Sequence, residues 1–419
     1  MTERYWIETL GCPKNQVDSD KLVGTLLADG LVPADRPEDA DVVVVNTCAF
    51  VEQARQESID VVLGLDAVRA PGARLVVTGC MAERYGEELA DALPEVDAVA
   101  GFGVPVTLGG TRRAEVPSFD LLNLPRPRSA APWAYVKVAE GCDRACGFCA
   151  IPTFRGKQRS RTIDDVLAEV AALDVREVVL VAQDLAAYGR DQGVGERSIV
   201  PLMQRIDAMV DRVRLLYLYP SDLTDDLVDA ICATDVPYFD LSLQHVSAPL
   251  LRRMKRWGDG DRFAARMADI RARRPDAVFR SNFIVGYPGE TEEDHDRLLA
   301  FVEGAGLDWC GFFAFSSEDG TYAATLDGEV PAGLVAERLA ELGELQDRIT
   351  AAKRDEMIGR RVEVLVDAPE RARTWREAPE IDGVVVVPGD LAVGSMVEID
   401  VIDALGPDLL AAGATWSDR

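Results

Sequence analysis

At 419 residues the chain is too long for one ordinary domain and points to two or three. Hydrophobic residues make up 48% of it, enough for sizeable cores, yet no apolar run approaches the roughly 18 residues of a membrane span. With 45 Lys and Arg against 72 Asp and Glu, the formal charge is −27. Such acidity works against non-specific nucleic-acid binding and would attract a basic protein partner, unless it serves only to keep the surface solvated.

The opening Met1-Thr2-Glu3-Arg4-Tyr5-Trp6 lacks the charged-then-apolar pattern of a secretion signal. A cytoplasmic location is expected, where thiols stay reduced and can act as ligands. The first hundred residues read as repeated strand–loop–helix units, with strands at 4–10, 41–45 and 74–77 and helices at 17–28, 51–63 and 82–93. Alternation of this kind predicts a parallel sheet with right-handed crossovers. Cys12, Cys48 and Cys80 each fall just past a strand's carboxyl end. In an open parallel sheet that edge is where ligands bind, so three residues far apart in sequence would converge on one pocket.

The stretch 124–132, with its Pro and Arg residues, reads as a domain boundary. Beyond it six strands are expected at 133–138, 177–181, 213–218, 238–243, 278–284 and 309–315. Helices separate them at 163–173, 201–210, 223–232, 261–273 and 292–303. Six parallel strands with outer helices make an incomplete (βα)6 barrel, whose active face lies at the strand carboxyl ends. The run Gly141-Cys142-Asp143-Arg144-Ala145-Cys146-Gly147-Phe148-Cys149 follows the first of these strands and so sits on that face. After a charged helix at 334–356, Val-rich runs at 362–366, 383–387 and 395–402 between Pro and Gly turns predict a small antiparallel β-barrel. The fold class is α/β with a β appendage, and the expected domains are 1–104, 128–356 and 357–419.

Two separate three-cysteine sets in an intracellular chain are better suited to metal than to disulfides. Thiolates are the natural ligands of iron–sulfur clusters, and a CxxxCxxC loop can wrap three corners of a cubane. Three thiolates are one short of closing a four-iron cluster, so each set would leave one iron free for chemistry. Zinc is the alternative for the loop, but it asks for four N or S ligands, and the only two histidines, His245 and His295, stand in no ligand spacing. For Cys12, Cys48 and Cys80 the alternative is burial as small apolar residues. Cys232, ending a helix, and Cys310, within a strand, are read as core.

The CxxxCxxC run with Phe148 before its last cysteine, on a partial barrel, resembles the signature of radical S-adenosylmethionine (SAM) enzymes. An N-terminal domain with three dispersed cysteines and a C-terminal β-domain of the TRAM type is similar to the methylthiotransferases of that group, over essentially the whole chain. Further matches are Gln183-Asp184 with Tyr188-Gly189, Leu243-Gln244-His245, and the run Phe283-Ile284-Val285-Gly286-Tyr287-Pro288-Gly289-Glu290-Thr291. The family has one branch that modifies an adenosine of tRNA and another that modifies an aspartate of ribosomal protein S-twelve. Cys12-Pro13-Lys14-Asn15, Cys149-Ala150-Ile151-Pro152-Thr153-Phe154-Arg155-Gly156 and Gln244-His245 resemble the second branch. Residues 357–419 hold six Lys or Arg against twelve Asp or Glu, a net of 6 − 12 = −6. An RNA-binding domain should be basic, so tRNA is the weaker match and a basic ribosomal protein the better electrostatic partner.

The resemblance implies two 4Fe-4S clusters, at Cys142, Cys146 and Cys149 and at Cys12, Cys48 and Cys80, together with SAM. The first cluster would bind and cleave SAM to a 5′-deoxyadenosyl radical, and the second would hold the sulfur to be inserted. A second SAM would methylate that sulfur, giving a β-methylthio-aspartate. The resemblance also assigns Phe148 and Ile284 to an adenosine pocket, and Gln183 and Asp184 to SAM or substrate, with strand-end packing as the alternative for all four. It singles out no acid, base or nucleophile. A reductant such as flavodoxin or ferredoxin is implied as a partner, and no membrane. The non-enzymatic alternative, a cluster carrier, would need neither a barrel nor three-cysteine sets.

Overall fold

The computed structural model describes residues 2–106, 120–193 and 198–416. Met1 and 417–419, at the outer ends of the expected first and last domains, lie outside the described residues, as do 194–197 within the expected second. Among the described residues no helix is long and apolar enough to cross a membrane.

The N-terminal region is a five-stranded parallel sheet in the spatial order Val32–Pro33, Arg4–Thr9, Val42–Thr47, Arg74–Gly79, Ala98–Ala100. The two edge strands were not expected, being too short to carry a pattern. Val42–Thr47 is buried along its whole length, as a strand covered on both faces must be, hence the four consecutive valines with which it begins. Helices Pro13–Ala28 and Glu52–Val68 cross over between strands. The helix expected at 82–93 is two, Cys80–Tyr85 and Glu87–Ala92, because Gly86 between them takes φ +49°, outside helical geometry.

All six expected barrel strands form. Trp133–Lys137, Glu177–Val181 and Arg212–Leu215 pair in parallel, as do Tyr238–Gln244, Val278–Val285 and Trp309–Ala314. A parallel bridge from Leu218 to Leu241 joins the two halves. The lumen is filled by Tyr135, Val179, Val181, Leu216, Tyr238, Val278 and Trp309, and two other parts of the chain enter it: Val17 of the first helix, and Ala378 and Ile381 of a late loop.

The C-terminal region is a closed five-stranded barrel: Arg361–Ala368, Arg371–Arg373, Val385–Val386, Asp408–Ala411, Met396–Leu405. It is not wholly antiparallel as expected, since Val385–Val386 runs parallel to Asp408–Ala411. The reason is geometric: a closed ring with an odd number of strands cannot alternate direction all the way round, so one parallel pair is unavoidable. Between its second and third strands the chain leaves the small barrel and caps the amino ends of the large one. Tyr135 Oη donates to Pro379 O (2.9 Å), Tyr238 Oη to Asp382 Oδ2 (2.6 Å) and Trp309 Nε1 to Arg376 O (2.7 Å).

Glu177, wholly buried at the start of the second barrel strand, fastens this cap. It accepts from Arg214 Nε (2.9 Å) and pairs with Arg373 Nη1 (2.9 Å). Burial opposes its charge, yet Arg373 and Arg214 hold the carboxyl down at about 2, from an ordinary 4.5. A depressed carboxylate stabilises the fold above its unfolded value and loses that contribution as pH falls toward the folded one. Glu177→Gln, leaving two buried guanidinium groups short of an anion, should cost about 3–5 kcal/mol near neutral pH. It should also flatten the fall in stability between about pH 4.5 and 2. Urea unfolding across that range is the measurement; a variant as stable as the parent at pH 7 would refute the assignment.

Candidate functional site

Strands Arg4–Thr9, Val42–Thr47 and Arg74–Gly79 are neighbours that end nearly level, Thr9 beside Asn46 and Thr47 beside Gly79. Parallel strands lie about 4.8 Å apart, so Cys12, Cys48 and Cys80 leave adjacent strand ends into one pocket. Gly11 makes the approach possible: its φ is +93°, and a Cβ there would lie 2.9 Å from Cys48 Cβ and 3.0 Å from Cys48 Sγ. Asn15, in the first turn after Cys12, stitches the loops together. Its Nδ2 donates to Leu10 O (2.9 Å) and Thr47 O (3.0 Å), while its Oδ1 lies 3.5 Å from Cys80 Sγ.

The barrel region contributes to this pocket directly. Helix Ile151–Arg155 starts two residues past Cys149, and its last residue, Arg155, reaches into the N-terminal sheet. Arg155 Nη2 donates to Cys80 Sγ (2.9 Å) and Asn15 Oδ1 (2.9 Å), and Nη1 to Asp18 Oδ2 (3.2 Å) and Glu140 Oε2 (2.9 Å). Its guanidinium lies 4.1 Å over the Phe102 ring. Lys137, buried in the first barrel strand, pairs with the same Asp18 and with Glu140 (2.7 Å). Burial disfavours the Glu140 charge, but Arg155 and Lys137 hold its carboxyl well below the usual range.

The compact set hangs between the first barrel strand and helix Ile151–Arg155. Gly141, at φ +78°, passes so close to Lys157 O that a Cβ would stand 2.2 Å from it. A Cβ at Gly147 would come within 3.0 Å of both Tyr287 Oη and the Tyr322 ring. Gly147 N donates to Met254 O (2.8 Å) and Cys149 N to Cys146 O (3.2 Å). Arg256 Nη1 donates to Cys146 Sγ (3.3 Å). Arg144, inside the loop, pairs through Nε with Asp184 (2.6 Å) and also with Asp222. Tyr219 is sandwiched, with Arg144 3.9 Å and Arg256 4.2 Å from its ring centroid.

All eight cysteines are free thiols, and among the described residues no three His, Cys, Asp or Glu side chains close on a single metal ion. The donors each set offers are thiols, which is the donor chemistry of an iron–sulfur cluster. Burial pushes Cys48 and Cys149 up to about 12 and Cys142 to about 11. Burial also raises Cys80, against the pull of Arg155. For Cys12, burial is outweighed by Lys14, Arg155 and the Asn15 and Lys14 backbone N–H groups, which hold it below the ordinary value. Thiols this reluctant to ionise become thiolates when a metal core takes the proton's place.

Of the four other residues anticipated, Asp184 reaches the compact loop through Arg144, and Gln183 Nε2 donates to Glu140 Oε1 (2.6 Å), on the network that ends at Cys80. Phe148 and Ile284 lie half-buried against the barrel core, as do Cys232 and Cys310. Sequence reasoning gave no role to Asn15, Lys137, Glu140, Arg155 or Arg256. Lys137 was visible as a lone charge in an apolar strand, and Asn15 as an amide three residues past a cysteine. Arg256 carried no signal, and Arg155 only its place in the run 149–156, because their partners are distant in sequence.

Residues 4–101 match the uncharacterized protein family UPF0004, 136–302 the radical SAM superfamily and 358–413 the TRAM domain. A Moorella thermoacetica protein named ribosomal protein uS12 methylthiotransferase RimO is 43% identical over 416 residues, covering 94% of this chain and 96% of that protein. Its Streptomyces coelicolor namesake is 39% identical over 481 residues, with 98% and 97% covered. Among solved structures, the radical SAM methyltransferase TsrM of Kitasatospora setae, with tryptophan and a SAM analogue bound, superposes with a TM-score of 0.50. At 14% identity over 82% of this chain and 89% of that one, it speaks for the fold alone. Identity of the extent seen in the first two, sustained from end to end, decides the family: this chain is a radical SAM protein and belongs to the ribosomal protein uS12 methylthiotransferases.

Proposed function

We propose that the chain transfers a methylthio group to the β-carbon of an aspartate of ribosomal protein uS12, using SAM and two 4Fe-4S clusters. The observation that carries this reading is the pairing of two all-thiol sets, one on the barrel's active face and one on the sheet edge, tied through Arg155. Cys142, Cys146 and Cys149 would hold the cluster that meets SAM, and Cys12, Cys48 and Cys80 the cluster that carries sulfur. Phe148 and Ile284 would border the adenosine, with Gln183 and Asp184 toward SAM or substrate.

An aspartate β C–H is not acidic enough for an ordinary base, and bound SAM supplies instead a carbon radical able to take that hydrogen. The protein's part is to orient and to exclude water. Glycines 141 and 147 let the compact loop fold tightly against Lys157, Tyr287 and Tyr322. Arg144 fixes that loop to two barrel carboxylates, and Arg256 offers Cys146 an N–H that would offset thiolate charge. The regions 1–104, 128–356 and 357–419 would divide the work into sulfur delivery, radical generation and partner binding. The last carries a net charge of 6 − 12 = −6, which favours a basic protein over RNA. An electron donor such as flavodoxin or ferredoxin is a required partner.

Cys80→Ala, reconstituted anaerobically, should lose methylthiolation while SAM cleavage stays measurable; no cleavage despite an intact compact cluster would contradict the division of roles. Cys146→Ala should lose both activities, and surviving SAM cleavage would sink that assignment. Mass spectrometry of uS12 and of tRNA from a deletion strain chooses the substrate. The expected loss is of one methylthio group on uS12, whereas an altered tRNA adenosine beside unchanged uS12 would overturn the reading.

A further inference from the structure

A reacting carbon must lie between the two cysteine sets, and Tyr217–Tyr219, just past the third barrel strand, spans that space. Tyr219 faces the compact set, between Arg144 and the Arg256 that touches Cys146. Tyr217 faces the dispersed set: Lys14, two residues past Cys12, sets its Nζ 3.5 Å from the Tyr217 ring centroid. Tyr217 holds φ at +66°, a left-handed conformation that a bulky residue adopts only under constraint. The fourth strand ends with a second such residue, Gln244, at φ +70°.

Most cations around this space are paired with carboxylates or bonded to a thiol; Lys14 and Lys255 are held by ring faces instead, and of these two Lys14 is the one beside the dispersed set. Arg144 is paired with Asp184 and Asp222, and Arg155 and Lys137 with Asp18 and Glu140. Arg256 donates to Cys146 Sγ and Ser242 O. Half-buried Lys14 makes no ion pair with a carboxylate among the described residues; it rests on the Tyr217 face and lies close enough to Cys12 to favour that thiolate. An aromatic face holds an ammonium more weakly than a carboxylate does, so an incoming carboxylate can take it over. An acidic side chain entering a protein of net charge −27 needs such a local counter-charge.

We propose that Lys14 receives the side-chain carboxylate of the target aspartate and selects it over a neutral side chain. The carboxylate is one bond from the β-carbon, so an ammonium beside Cys12 and over Tyr217 sets that carbon between the two thiol sets. Lys14 is thereby a substrate-recognising residue. The inference rests on uS12 being the substrate, and it adds the group that reads the aspartate.

The test uses full-length, anaerobically reconstituted enzyme with purified uS12 and with uS12 whose target aspartate is changed to asparagine. Dissociation constants for the two are compared in the parent, Lys14→Met and Lys14→Arg, after iron has been counted in each. The parent should favour the aspartate form by about tenfold or more. Lys14→Met should bring the ratio near one, and Lys14→Arg should keep the preference. A parental ratio in Lys14→Met, or equal weakening toward both forms with the preference intact, overturns the proposal. So does loss of the dispersed set's iron from Lys14→Met, since the charge would then serve the cysteines. A parent that fails to methylthiolate uS12 fails the functional reading instead, which that control separates.

Discussion

One guanidinium holds the molecule in its working shape. Arg155 grows out of the loop that carries the compact cysteines, yet its acceptors Asp18, Asn15 and Cys80 belong to the sheet that carries the dispersed ones. A buried charge persists only where it is paired and hydrogen-bonded, and Arg155 meets that condition only if the two regions dock in this one relation. Asp18 is shared with Lys137 and Glu140 with both cations, so loss of any member leaves a partner stranded. The distance between the two cysteine sets is thus fixed by electrostatics at the interface rather than by a linker.

A second latch and a cap make the constraint global. Glu318, buried beyond the sixth barrel strand, pairs with Arg55 and Arg84 (2.7 Å) of the N-terminal region, and Ser316 Oγ accepts from Glu52 N (3.2 Å). At the opposite end of the barrel the loop from the C-terminal region seals the lumen, with Arg373 joining both barrels through Glu177 and Asp367. A barrel sealed at its amino ends has one open face, the one where the strand ends and both cysteine sets meet.

The sequence disclosed whatever rests on local pattern. Period, turn residues and run length placed the six barrel strands to within a few residues, because each is a short apolar run bounded by turns. They missed Val32–Pro33 and Ala98–Ala100, whose pairing is dictated by neighbours, and the parallel pair that an odd ring forces on the last barrel. The cysteines were legible because three of them stand at equivalent strand ends. The charges that organise them were not: Lys137 and Glu177 read as noise in their strands until Asp18, Arg214 and Arg373 arrive from elsewhere in the chain. Tertiary ion pairs leave no periodic trace.

Charge acts here on two scales of opposite sign. The chain as a whole is acidic, and in solution the reach of that charge is cut to a screening length of about 8 Å, within which it favours a basic partner. Inside, where screening is weak, Lys14, Lys137, Arg144, Arg155 and Arg256 gather around six thiols, even though the chain as a whole carries −27. Thiolate-bound clusters are anionic, and a fold that collects two of them must place cations nearby. Asp18, Glu140, Asp184 and Asp222 neutralise Lys137, Arg144 and Arg155, so the positive charge left, on Lys14 and Arg256, is small and local. A strongly cationic mouth would draw any anion in, nucleic-acid phosphates included. An ammonium beside the dispersed set, resting on Tyr217 and free of any carboxylate among the described residues, suits one carboxylate.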